Sequence, residues 1–206
     1  MAGRNRTFDK EEVLETAMKV FWRNGYAGTS MSDLTGATGL AKPSLYAAYG
    51  NKEDLFRQSL HRYIRAQREN IGDPLHAPGV ALKVRVANYL KASARRAADR
   101  STPGGCFVAA STCEASSGAM PDEARQTISE INANSRSRIT DFLREEQANG
   151  DLAEAASPEI LADYIQVMQS GLVLMAKKGT GLAEIERLVD HVISTWPLSE
   201  PDTINS

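Results

Sequence analysis

The side chains of this sequence that are best placed for chemistry gather between residues 29 and 52, in two short segments with helical periodicity. The segments are about Met31–Thr38 and Lys42–Tyr49, and Gly39 begins the three-residue turn that separates them. Two short helices joined by such a turn form the helix-turn-helix pattern, whose second helix lies in the major groove of DNA. The spacing therefore predicts a surface for contact with duplex DNA.

The second segment divides into an inward and an outward face. Leu45 and Tyr49 are predicted to face inward with Leu34 and to hold the two helices together. Outward side chains offer a lysine for guanine or phosphate, small apolar groups for a thymine methyl, and hydroxyl donors for phosphate. Thr29, before the first segment, and Lys52, after the second, are further candidates for phosphate contacts. The predicted DNA contacts are Thr29, Lys42, Pro43, Ser44, Tyr46, Ala47 and Lys52.

Composition argues against several other classes of protein. The two cysteines, Cys106 and Cys113, and the three scattered histidines lack the spacing of a disulfide framework or a metal site. We find no nucleophile–base pattern or cofactor motif, so we predict neither an enzyme nor a cofactor. No apolar run is long enough to span a bilayer, and the N-terminus lacks the apolar stretch of a signal peptide. We therefore expect a cytoplasmic protein without a membrane partner.

Charge is distributed unevenly along the chain. Residues 1–65 contain ten Lys and Arg against seven Asp and Glu, whereas the remainder is acidic. A weakly basic beginning suits a chain whose first part meets a polyanion, although the imbalance alone is weak support.

The rest of the sequence predicts an all-α protein of about nine helices, because glycine and proline separate segments of helical period and almost nothing resembles a strand. Asp9 is a predicted N-cap for the first helix, and Ser157-Pro158 begins a helix near the C-terminus. We predict a DNA-binding domain at residues 1–50, a linking helix at 51–70, and a larger helical domain at 71–206, to which the family resemblance given below assigns ligand binding and dimerisation.

Residues 8–60 resemble the TetR family of transcriptional regulators. The resemblance is carried by Phe21…Gly25-Tyr26…Thr29, by the Gly39 turn, and by Leu45-Tyr46-x-x-Tyr49-x-x-Lys52-x-x-Leu55. The chain departs from the common pattern at Thr35, at Ala41 before the second helix, and at the small Ala47 and Ala48. Ala41 lacks the side-chain cap that serine or threonine would supply, and the small Ala47 and Ala48 leave few base contacts, so the operator sequence stays open.

The resemblance implies a repressor that binds palindromic DNA as a homodimer and is released by a small-molecule inducer. It also implies that the last two helices form a four-helix bundle with those of the partner. The apolar residues predicted to lie there are Ile160, Tyr164, Leu172, Met175, Ile185, Leu188 and Val192.

The implied ligand cavity lies among the middle helices, where the resemblance gives the architecture only. Large side chains and one thiol are candidates for its lining: Tyr89, Cys106, Phe107, Met120, Phe142, Tyr164 and Met168. Gly105-Cys106-Phe107-Val108, followed by Glu114, resembles a glycine-cysteine motif at the sixth helix of one subgroup. An electrophile or oxidant that acts on Cys106 is one interpretation, and plain packing of the thiol is the other. A DNA-binding dimer without a ligand, and an activator, stay open as alternatives.

Overall fold

The structure is a computed structural model that describes residues 8–71 and 74–196. The outer limits of the predicted domains, residues 1 and 206, lie outside the described residues. Within the described ranges there are nine α-helices, one short 3₁₀ turn and no strand, which confirms the predicted all-α fold. No helix in these ranges is both long and apolar enough to cross a membrane.

The helices follow one another with short connections. They are α1 (Lys10–Asn24), α2 (Met31–Thr38), α3 (Lys42–Tyr49), α4 (Lys52–Ile71), α5 (Leu82–Ala98), α6 (Phe107–Ala115), α7 (Asp122–Ala148), α8 (Pro158–Lys177) and α9 (Leu182–Ser194), with the 3₁₀ turn Pro74–His76 between α4 and α5.

Local sequence signals fix where the helices begin and end. The Asp9 carboxylate accepts the backbone N–H groups of Glu11 and Glu12 at the beginning of α1, as predicted. Ser30 and Asp33 form a reciprocal capping box on α2. Gly39 ends α2 with a φ of 69°, a left-handed conformation that glycine adopts without strain. These signals keep α2 and α3 short, as a helix-turn-helix requires.

The chain forms two compact units. The N-terminal unit holds the described residues up to 69 together with residues 107–129, and the C-terminal unit holds the remainder. Helix α6 and the first turns of α7 thus belong with α1–α4, whereas the sequence assigned them to the ligand-binding domain.

An aromatic cluster explains why α6 belongs to the N-terminal unit. Phe107, the first residue of α6, is buried between side chains of α1 and α4. Its ring centroid lies 6.4 Å from that of Trp22, 5.8 Å from that of Phe56 and 5.8 Å from that of Tyr63. Six rings make up this aromatic cluster: Phe21, Trp22, Tyr26, Phe56, Tyr63 and Phe107.

The C-terminal unit has its own core. Helix α5 packs against α8 and α9, and the side chains of Leu90, Ile165 and Val189 are completely buried there. A buried ion pair lies in this unit: the Arg85 guanidinium donates to the Glu146 carboxylate and to the carbonyl oxygen of Leu75. A buried charge is tolerated in such a core only when it is paired and hydrogen-bonded, as Arg85 is here.

Candidate nucleic-acid interface

Helix α3 presents an uninterrupted polar and small apolar face to solvent. Its members are the residues that the sequence predicted for base and phosphate contacts on this helix: Lys42, Pro43, Ser44, Tyr46 and Ala47. The Lys42 ammonium lies 5.5 Å from the centroid of the Tyr46 ring, which holds two DNA-contacting candidates together on one face.

The opposite face of α3 holds the helix rigidly in place. Leu34 and Leu45 are completely buried, and the buried Tyr49 donates its hydroxyl to the carbonyl oxygen of Lys10, 2.7 Å away. These contacts confirm the predicted inward face. They fix α3 against α1 and α2, so that its outward side chains present one defined surface.

The beginning of α3 has no side-chain cap. Ala41 occupies the N-cap position and offers no side-chain acceptor, although its carbonyl oxygen accepts the backbone N–H groups of Ser44 and Leu45. The positive end of the helix dipole lies at this exposed turn, where an anion such as a phosphate is favoured. Pro43 stands in the first turn, where its fixed φ favours the helix.

Lys52 stands in the first turn of α4, beyond the end of α3. Asn51 and Asp54 form a capping pair there, in which the Asp54 backbone N–H donates to the Asn51 side-chain oxygen at 2.7 Å. The Lys52 ammonium lies 4.2 Å above the centroid of the Tyr26 ring. Burial lowers the pKa of Lys52, and the carboxylates of Glu53 and Glu114 oppose that shift. A phosphate at this half-buried ammonium would favour its charged form.

Tyr26, whose ring contacts the Lys52 ammonium, is held by hydrogen bonds at its hydroxyl and at its backbone N–H. Its hydroxyl donates to the Glu53 carboxylate at 2.5 Å, and its backbone N–H donates to the Glu114 carboxylate at 2.9 Å. Burial and the bond to Glu53 raise the pKa of Tyr26, so the hydroxyl stays a proton donor. No sequence motif predicted this contact between α6 and the turn after α1.

Thr29 corrects one predicted contact. Its side chain is only 1% exposed, and its hydroxyl donates to the carbonyl oxygen of Gly25 at 2.6 Å. The hydroxyl therefore closes the turn between α1 and α2 and is not presented to a phosphate. A threonine in a tight turn commonly bonds its own backbone, which is the signal that the sequence offered for this role.

The residues predicted to line a ligand cavity fall into both units. Phe107 and Met120 are buried in the N-terminal unit, and Phe107 belongs to the aromatic cluster. Tyr89, Cys106, Phe142 and Met168 belong to the core of the C-terminal unit or pack against it. Tyr164 is exposed on α8.

Within the C-terminal unit, a cleft of about 470 Å³ opens beside the buried pair of Arg85 and Glu146. His76, Gly79 and Asp151 are also among its lining residues. The predicted cavity residues are absent from this lining. Tyr89 instead borders a space of about 30 Å³, together with Ser135 and Arg138.

The predicted dimerisation residues divide into exposed and buried positions. Ile160 and Tyr164 are exposed, while Met175, Leu188 and Val192 are half-buried. Leu172 on α8 and Ile185 on α9 are the corrections: both are completely buried in the core of the C-terminal unit. They serve the interior of the subunit, since a residue already covered by its own chain offers no surface to a partner.

Three exposed apolar residues on α8 and α9 were not predicted. Val167 is 69% exposed, Leu174 is 58% exposed, and Leu182 begins α9. With Ile160 and Tyr164 they leave an apolar surface that the described part of this chain does not cover.

Two protein-family models match the chain. The one described as bacterial regulatory proteins, tetR family, matches residues 13–58. The one described as a tetracyclin repressor-like C-terminal domain matches residues 83–192. The first range contains the whole exposed face of α3.

Individual proteins are similar to the chain over nearly its whole length. The HTH-type transcriptional repressor ComR of Escherichia coli K12 is 32% identical over 95% of this chain and 92% of its own. The HTH-type transcriptional regulator YezE of Bacillus subtilis 168 is 30% identical over 92% of this chain and 95% of its own. Among solved structures, the TetR family regulator CifR, a cysteine mutant complexed with 26-bp double-strand operator DNA, is 32% identical with a TM-score of 0.80 and covers 95% of this chain and 100% of its own.

Proposed function

The chain belongs to the tetR family of bacterial regulatory proteins, and from that premise we propose that it is a transcriptional repressor that binds a palindromic operator as a homodimer and leaves it when a small molecule binds. Family membership confirms that the protein is a DNA-binding regulator and not an enzyme. The observation that carries the proposal is the exposed face of α3, which is rigidly held from behind. A repressor of this kind acts on the chromosome, so we place it in the cytoplasm.

Repression is supported by the names of the relatives. ComR is a transcriptional repressor, and CifR was solved on its operator. We propose that α3 lies in the major groove, with Lys42 and Ala47 toward the bases, and with Tyr46, Ser44 and Lys52 toward the phosphates. The small Ala47 and Ala48 limit direct base contacts, so DNA shape contributes to the choice of operator.

The proposed homodimer is supported by the apolar surface of α8. Ile160, Tyr164, Val167 and Leu174 recur at spacings of four, three and seven, and Gly171 divides the last interval into four and three. This is the a/d spacing of helices that pack side by side. A side chain added at Gly171 would meet no atom within 4 Å, so close approach of a second helix is sterically open there.

The proposed effector site lies in the C-terminal unit. The cleft beside Arg85 and Glu146 is open to solvent and offers about 470 Å³. Its lining combines a buried guanidinium, carboxylates and an imidazole, which favours a polar ligand. A DNA-binding dimer without an effector is the alternative, and it predicts that no small molecule changes DNA affinity.

A second candidate signal is an electrophile or oxidant that modifies Cys106. The thiol is half-buried against the core of the C-terminal unit, directly before α6, whereas Cys113 is exposed on α6. Modification of Cys106 would enlarge a side chain that packs against this core. Cys106→Ser should then lose its response to a thiol-reactive compound, and Cys113→Ser should keep it.

The first experiment is selection of bound fragments from a random duplex pool with the full chain, followed by a salt titration of the winning duplex. We expect a palindromic motif, and an affinity that falls steeply with salt because phosphate contacts release counterions. Enrichment of a single half-site would contradict the dimer. Binding with no sequence preference would contradict the proposed operator recognition. Once an operator is selected, added small molecules can be scored by their effect on its affinity.

A further inference from the structure

One side chain of α6 is bound to the DNA-binding helices, although α6 itself lies outside the helix-turn-helix. Glu114 accepts the backbone N–H of Tyr26 at 2.9 Å and that of Ala27 at 2.7 Å. Both donors belong to the turn that follows α1, outside the hydrogen-bonding pattern of the helix. A single carboxylate thus satisfies two donors of the turn.

The turn is built around this carboxylate. A Cβ atom added to Gly25 would lie 2.7 Å from a carboxylate oxygen of Glu114, closer than atoms pack. Gly25 also has a φ of +74°, which residues other than glycine rarely adopt. Glycine at this position leaves room for the Glu114 carboxylate, and the positive φ favours glycine independently of that contact.

The turn after α1 also positions Lys52, the lysine beside the exposed face of α3. Tyr26 is the residue whose backbone Glu114 holds and whose ring supports the Lys52 ammonium at 4.2 Å. The ring cannot turn freely, because its hydroxyl is bonded to Glu53, the neighbour of Lys52. Glu114 and Lys52 are thus connected through one side chain that is fixed at both ends.

We propose that Glu114 is a positioning residue for DNA binding: its carboxylate fixes the turn after α1, and through Tyr26 it sets the place where Lys52 meets a phosphate. This inference rests on the proposed operator binding and assigns a role to the acidic residue of the motif that begins at Gly105. In this proposal Glu114 acts without contacting DNA, and its effect passes through Tyr26 and Lys52.

A double-mutant cycle on the selected operator tests this inference. Lys52→Ala should weaken binding about tenfold and reduce the salt slope by about 0.9 for each phosphate that is no longer neutralised, or about 1.8 for a dimer. Glu114→Ala should also weaken operator binding and reduce the salt slope. Loss of a negative charge alone would instead be expected to strengthen binding to DNA. In the Lys52→Ala background, Glu114→Ala should change the affinity by less than about twofold, because coupled residues are not additive.

Two further variants separate positioning from a general loss of structure. Glu114→Gln retains one acceptor oxygen of the same shape and should give an intermediate affinity and slope. Cys113→Ser changes the exposed neighbour on α6 and should leave both unchanged. Thermal unfolding of each variant identifies the fraction folded at the temperature of the titrations.

The outcomes are distinct. If Glu114→Ala changed the operator affinity equally in both backgrounds, or left the salt slope unchanged, the positioning role would be overturned. The proposal that the protein binds an operator would still stand. A Glu114→Ala protein that fails to fold shifts the cycle to Glu114→Gln, for which the same two results are decisive. Absence of sequence-selective binding by the wild-type chain would instead contradict the proposed function itself.

Discussion

The rings of Phe56 and Phe107 meet edge to face, with their centroids 5.8 Å apart and their planes at 86°. Phe56 stands in the first turns of α4 and Phe107 begins α6, and both side chains are completely buried. Such aromatic pairs add to the free energy of burial. The contact therefore makes α6 a structural part of the DNA-binding unit.

The first prediction concerns the stability that Phe107 contributes. Phe107→Ala should lower the free energy of unfolding by about 3–5 kcal/mol, because it removes a ring from the centre of the aromatic cluster and leaves a cavity. Urea unfolding followed by tryptophan fluorescence measures this, since Trp22 belongs to the same cluster. Ala110→Ser, at an exposed position of the same helix, is the control and should change stability by less than about 0.5 kcal/mol. A similar loss in both variants would contradict the assignment of α6 to this unit.

The second prediction compares two tyrosines of α3. Tyr46→Phe keeps the ring beside Lys42 and removes only an exposed hydroxyl. It should weaken operator binding by about 1 kcal/mol, or roughly fivefold, with no change in salt slope because the hydroxyl donor is uncharged.

Tyr49→Phe is the matched control, because its hydroxyl donates inward to Lys10. It should lower thermal stability and leave the affinity of the folded protein within about twofold. The reverse pattern, with Tyr49→Phe weakening DNA binding and Tyr46→Phe without effect, would mean that α3 presents another face to DNA.

The helix-turn-helix was predictable because its signals are local. Gly39 stands at a position that needs a left-handed φ, and Leu34, Leu45 and Tyr49 repeat with the period of a buried helix face. The predicted bounds of α2 and α3 agree with the structure at both ends.

The remaining assignments depended on contacts that no local pattern encodes. Glu114 accepts a backbone N–H from a residue 87 positions away in the sequence, so its position does not identify that partner. Phe107 could pack in any hydrophobic core, so its position does not identify the core to which it belongs. Thr29 is a hydroxyl residue whether it faces solvent or closes a turn. Helix α8 is apolar on more than one side, so its periodicity could not separate the buried Leu172 from the exposed Val167.

The third prediction follows from the pKa of Glu15. Hydrogen bonds from Lys19 and Arg62 lower this pKa. Because Arg62 is on α4 and Glu15 is on α1, their ion pair joins the two helices. A carboxylate with a lowered pKa stabilises the fold above its unfolded pKa of about 4.3, and that stabilisation is lost as the pH falls through the folded value.

We therefore expect Glu15→Gln to be less stable than wild type at about pH 6, with a difference that shrinks as the pH falls below the unfolded pKa of about 4.3 and vanishes once the folded carboxylate is protonated. Urea midpoints measured from about pH 6 to about pH 3 provide the test. The acidic end of the series is its own control, because a protonated Glu closely resembles Gln. A difference in midpoint that stays constant across the series would show that the charge of Glu15 does not contribute.

The fourth prediction tests the proposal that the apolar row on α8 forms the dimer interface. Val167 is 69% exposed and lies in the middle of the apolar row that begins at Ile160. Two-fold symmetry would bring each Val167→Glu change into the interface from both subunits, where an unpaired buried charge costs about 3–5 kcal/mol. The dimer dissociation constant should therefore rise by at least about a hundredfold. Light scattering coupled to gel filtration at micromolar concentration should detect monomers, and operator binding should weaken because two half-sites are no longer held together.

The matched control for this change is Val84→Glu. Val84 is 48% exposed, so it presents a similar apolar side chain to solvent, but it stands in the first turn of α5, where a carboxylate favours the helix dipole. This variant should stay dimeric and bind the operator as wild type does. If both variants stayed dimeric, the subunits would meet through another surface, because a glutamate in the middle of the α8 row cannot be buried without a partner. If both became monomeric, added negative charge alone would account for dissociation, and the apolar row would lose its assigned role.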